Sequence, residues 1–169
     1  FQSGDQTFAA YLQGRCVAVT SDRSQLAAKR TGFPNPAEHL LLPDMLSKEP
    51  LNPATINADP AWADAVRWVV YSLIQAEEMG ITAANIDAKL AEAKANKNLA
   101  QLRRFLGVEG DLGKQLGLPA DFVVKTVKAV GNYGEVFERN VGQGSPLKLE
   151  RGVNQQWLKG GLMYSPPFL

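Results

Sequence analysis

Strand-like sequence is scarce in this chain, and that scarcity limits what it can fold into. Residues 16 to 20, Cys16-Val17-Ala18-Val19-Thr20, are short, apolar and rich in β-branched side chains, as a strand is. Residues 39 to 43, His39-Leu40-Leu41-Leu42-Pro43, form a continuous apolar run, as expected of a strand covered on both faces. A helix is expected over residues 5–13, capped by Asp5 and ended by Gly14, with Phe8 and Leu12 four apart on one face. Another is expected over residues 22–30, where Asp22 followed by Gln25 has the form of a capping box. Helix, strand, helix, strand with short connections is the rhythm of an α/β unit with a parallel sheet. Two strands do not make a stable sheet. The remaining strands must come from elsewhere, and residues 54–57 offer only one further candidate.

Beyond residue 58 the pattern turns helical. Asp59 caps, Pro60 takes the first helical position and Gly80 closes a helix about 30 Å long at 1.5 Å per residue. Trp62, Val66, Val69, Val70, Leu73, Ile74 and Ala76 give it a wide apolar face, of the kind that usually packs into a core. Further helices are expected from Thr82, with Ile86, Leu90 and Ala93 on one face, and before Gly107. Two more are expected after Pro119 and near Asn132. The Gly- and Pro-marked end reads as loop, short helix and extended chain. The stretch at 47–56, with Pro50 and Pro53, is the clearest boundary in the chain.

Composition removes several function classes. The 169 residues carry 18 basic and 17 acidic side chains, for a net charge of +1, and no basic block of the kind a nucleic-acid surface shows. No run approaches the ~20 apolar residues of a membrane helix. No basic segment precedes an apolar one, so no signal peptide is visible, and a chain starting at Phe1 suits a fragment or a processed form. One His and one Cys cannot build a His/Cys metal cluster, so neither a metal nor a cofactor is expected.

Candidate chemistry is thin. His39 lies in an apolar run, where a buried, satisfied imidazole is expected rather than a catalytic base. Glu77 and Glu78 stand near a helix C-terminus, unfavourable for negative charge, and are expected to be solvated. The glycines at 131, 134, 142 and 144 follow a helix and lack P-loop order. Tyr133, Phe137 and Val141 recur at spacing four, a packing pattern. By composition alone Cys16 is a small buried thiol. Asp22 has two readings. It can cap the following helix, or it can meet a ligand, because ligands in open α/β sheets bind beyond the carboxyl ends of strands. A carboxylate there can accept charge-assisted hydrogen bonds from an ammonium group.

Three stretches carry a resemblance: GRCVAVTSDRSQLAAKR, LLPDMLSKEPLNP and, above all, VKAVGNYGEVFERNVGQGSPLKLERGVNQQWLKGGLMYSPP. They resemble the periplasmic general L-amino-acid-binding proteins of ABC transporters, part of the polar amino-acid solute-binding family. The resemblance implies an α/β fold, a fragment of a type II two-lobed periplasmic binding protein, helix-rich in its C-terminal part and matching only the C-terminal half. It implies that residues 1–45 end the second lobe, residues 46–54 form a hinge crossover, and residues 55–169 complete the first lobe with helices. The absent half would supply the other strands.

The same resemblance places Asp22 at the position that binds the ligand's α-ammonium group, with Ser21 as a lesser contact. It makes Cys16 one half of a disulfide to an upstream cysteine, reasonable in an oxidising compartment. The implied activity is capture of L-amino acids in the periplasm and delivery to a membrane-embedded permease, without catalysis, by a protein that is a monomer when complete. Enzymes on the same two-lobed fold, of cyclohexadienyl dehydratase type, and sensor domains of lytic enzymes are the alternative, since fold does not fix function.

Overall fold

The computed structural model describes residues 1–48 and 50–168; Glu49, within the expected crossover, and Leu169, at the end of the expected first-lobe segment, lie outside them. The chain divides into two compact units. The first comprises Phe1–Leu51 and Val141–Leu149, the second Asn52–Asn140 and Glu150–Leu169.

The first unit contains α1 (Gly4–Leu12) and α2 (Arg23–Thr31). Ser3, not Asp5, caps α1: its side chain accepts from the Gln6 backbone N–H, which puts Asp5 inside the first turn. There Asp5 accepts from Lys29 Nζ at 2.7 Å, and that hydrogen bond holds its carboxyl below the ordinary value. The core here is small and aromatic. Phe8 is buried, Phe33 lies 6.0 Å from both Phe8 and Tyr11, and His39 lies edge-on to Phe33 at 5.0 Å. His39 is satisfied, with Nδ1 against the Tyr11 hydroxyl at 2.8 Å and Nε2 against the Pro34 carbonyl at 3.2 Å. It is half-buried rather than buried.

None of the described residues at 16–20, 39–43 or 54–57 forms a strand. These segments remain extended or irregular, with Val17 at 99%, Leu40 at 80% and Leu42 at 66% exposure. A strand exists only through hydrogen bonds to a neighbour. Local β-propensity supplies none, so these apolar side chains stay in the open.

The second unit is helical: α3 (Pro60–Glu78), α4 (Ile86–Ala95), α5 (Ala100–Phe105), α6 (Leu112–Gln115), α7 (Phe122–Val130) and α8 (Tyr133–Asn140). α3 starts as its sequence dictates, with Asp59 Oδ1 accepting from the Trp62 N–H at 2.9 Å and Pro60 at the first position. It packs against α7 and α8. Ile81, Ile86, Phe105, Leu106, Val123 and Val127 are the large side chains sealed in this core. Trp68 packs against it, and buried Phe168 wedges edge-on between Trp68 and Phe105, 5.0 Å from each. Trp62, expected on the apolar face, is 57% exposed. The end of the chain folds as two short 3-10 turns, Gly152–Asn154 and Trp157–Lys159, with an isolated parallel bridge between Gln156 and Met163. No helix among the described residues is long and apolar enough to cross a membrane.

Candidate functional site

The predicted site residues all lie in the first unit, where extended chain runs into α2. Asp22 holds the N-cap position with an extended backbone (φ −53°, ψ 136°), and its carbonyl accepts from the Leu26 N–H at 2.9 Å. The backbone therefore caps the helix as expected, but the side chain makes no capping hydrogen bond. The expected capping box is not formed. Gln25, which should have turned back toward Asp22, instead accepts through Oε1 from the Ser21 hydroxyl. A serine hydroxyl can donate to an amide oxygen, whereas a carboxylate only accepts. Ser21 is exposed and Asp22 half-buried. Among the described residues no salt bridge involves the Asp22 carboxylate. An acceptor with four lone-pair sites and no internal partner can take the hydrogens of a cationic group.

Cys16 is a free thiol, half-buried. The fully buried packing that composition suggests does not occur, since among the described residues no strand covers the segment it opens. The described residues contain no cluster of three or more His, Cys, Asp or Glu side chains able to hold a metal ion.

A second polar constellation lies within the helical unit. Arg151 binds Glu77 with two parallel hydrogen bonds, 2.9 and 3.0 Å, in a pair whose side chains are only 9% and 11% exposed. The same guanidinium donates twice to the Asn154 carbonyl and sits over the Tyr133 and Phe137 rings at 5.3 and 5.2 Å. Burial raises the Tyr133 hydroxyl above its ordinary value; Arg151 opposes the shift and Glu77 adds to it. Glu78 accepts from the Trp157 indole N–H at 3.1 Å. Neither glutamate is simply solvated, as their place at a helix end had suggested. The local helix dipole does not register partners that lie 74 and 79 residues away. No spacing rule reaches that far. The period-four rings of Tyr133 and Phe137 were the only local sign.

No family model matches the chain. It is 50% identical over 169 residues to a general L-amino acid-binding periplasmic protein of Rhizobium johnstonii, covering 99% of this chain and 48% of that protein. It is 48% identical over 165 residues to a glutamate/glutamine/aspartate/asparagine-binding protein of Rhodobacter capsulatus, covering 98% of this chain and 47% of that one. Among solved structures it matches an ABC transporter/periplasmic binding protein from Brucella ovis with glutathione bound, at a TM-score of 0.89 and 47% identity over 100% of this chain and 52% of that chain. The chain spans about half the length of the relatives it matches. Near-50% identity along essentially the whole chain, together with the shared fold, makes the chain similar to about half of each of these amino-acid-binding and periplasmic binding proteins.

Proposed function

We propose that this chain is part of a two-lobed periplasmic binding protein that captures L-amino acids and passes them to a membrane permease. Residues 1–45 belong to the second lobe, residues 46–54 to a hinge crossover, and residues 55–169 to the first lobe. The observation that carries the reading is Asp22: a half-buried carboxylate with no capping bond, at the carboxyl end of a strand-like segment. It receives the ligand's α-ammonium group, with Ser21 beside it. A cation for the α-carboxylate comes from the other half of the protein, as does a cysteine partner for Cys16. The function is binding and release by hinge closure, with no bond made or broken.

The ligands named for the relatives support the assignment of the amino-acid head. L-amino acids, the four acidic and amide amino acids, and the glutamyl residue of glutathione all present a free α-ammonium beside a free α-carboxylate. Calorimetry on the complete gene product tests the reading: at least one L-amino acid should bind tightly, and the 169-residue chain alone should bind it very weakly or not at all. Micromolar binding by the isolated chain would contradict the need for a second lobe.

A further inference from the structure

The ammonium group assigned to Asp22 carries three N–H donors and accepts nothing. The residue before Asp22 offers a second oxygen at the same end of α2. A serine hydroxyl can serve an ammonium only through its lone pairs, so its own proton must go elsewhere. In open water that proton finds a solvent acceptor. In a cleft closed over a ligand it would be stranded, and a desolvated donor without a partner is strongly penalised.

Gln25 supplies the missing acceptor. Ser21 Oγ donates to Gln25 Oε1, four residues along the chain. An amide oxygen takes that proton and has none to give back, so the bond sets the polarity of the hydroxyl and leaves Ser21 Oγ with lone pairs alone. Gln25 stands third in α2, where a capping-box glutamine would turn back to the N-cap backbone N–H. It spends its oxygen on Ser21 instead, and the Asp22 side chain makes no capping bond either. Two local bonds that would settle the helix start are forgone, and two neighbouring side chains are left as acceptors. We propose that Gln25 is a positioning residue for ligand capture: it holds the Ser21 hydroxyl proton, so that Ser21 Oγ and the Asp22 carboxylate both accept from the ammonium. This rests on the amino-acid-binding reading above.

The test is titration calorimetry on the complete gene product. The twenty L-amino acids are screened on the wild type, and the tightest binder is the probe for every variant. Ser21→Ala and Gln25→Met should each weaken it by about 10-fold. Ser21 and Gln25 are exposed, and methionine keeps the length and helix propensity of glutamine, so this loss is not a loss of fold. The double variant should bind no more weakly than Ser21→Ala alone, because the two residues act through one bond. Gln25→Glu keeps an acceptor and should bind at least ~5-fold tighter than Gln25→Met. That gain should vanish when Ser21 is alanine, whereas a plain effect of the added charge would persist. Wild-type affinity in either single variant, additive losses, or a glutamate gain that survives without Ser21 overturns the proposal and leaves the amino-acid reading standing. Failure of all twenty amino acids to bind the wild type overturns both.

Discussion

Arg151 and Glu77 meet in a two-pronged ion pair, 2.9 and 3.0 Å long, largely shielded from water between α3, α8 and the turn at Gly152–Asn154. The guanidinium also lies over two aromatic rings and donates twice to the Asn154 carbonyl. Breaking such a pair from one side leaves a buried charge uncompensated. Glu77→Leu or Arg151→Leu should each destabilise the helical unit by about 3–5 kcal/mol. The double change should cost clearly less than the sum, because no lone charge remains. Urea unfolding of the four proteins gives the coupling directly. Additive losses would mean that the pair does not act as a unit.

The same clasp predicts an alkaline limit. The Tyr133 hydroxyl is raised above its ordinary value of 10.0, chiefly because burial disfavours its anion. A raised folded value contributes stability that is fully present below the unfolded value and is lost as pH climbs through the folded one. The advantage of wild type over Tyr133→Phe should therefore be constant at neutral pH and shrink above about pH 10. Chemical denaturation across that range measures it. An advantage that did not change with pH would sink the assignment.

Asn132 should be the most sensitive cap in the chain. Its Oδ1 accepts from the Glu135 N–H at 2.9 Å, while a Glu135 carboxylate oxygen accepts from the Asn132 N–H at 2.8 Å, a reciprocal box. Its Nδ2 also donates to the Ile81 carbonyl at 2.8 Å in a buried bond. Asn132→Ala removes the cap and strands a buried carbonyl, at a cost of about 2–3 kcal/mol. Asp59→Ala loses only one exposed capping bond and should cost about 1 kcal/mol. Thermal melts showing equal losses would contradict the buried role of Asn132.

Elements whose causes are local could be read from the sequence. α3 begins where Asp59 and Pro60 place it, and its cap is made by adjacent residues. α8 starts just past Asn132 for the same reason. Where the cause is distant, local sequence does not carry it. Val17 and Leu40 have the propensity of strand residues, but a strand is a relation between two segments, and none forms at them among the described residues. Glu77 looked solvated because nothing within a helical turn pairs with it; its partner arrives from residue 151. Even the local rule at α1 was decided by detail, since Ser3 outcompetes Asp5 two residues on. At Asp22 the position was legible and the side-chain bond was not, because Ser21 draws Gln25 away.

That last difference separates stability from binding at one residue. An aspartate that caps a helix through its side chain costs about 1 kcal/mol when replaced by alanine. Asp22 makes no such bond, and its capping is done by a backbone carbonyl that alanine retains. Asp22→Ala should therefore shift the unfolding free energy by no more than about 0.5 kcal/mol. If the carboxylate holds an α-ammonium in a closed, desolvated cleft, the same change should remove roughly 2–5 kcal/mol of amino-acid affinity, enough to abolish tight binding. Urea unfolding and calorimetry on the same preparation of the complete gene product measure both. A stability loss near 1 kcal/mol with unchanged affinity would make Asp22 a helix cap after all, whereas lost affinity with preserved stability is the signature of a residue kept for its ligand.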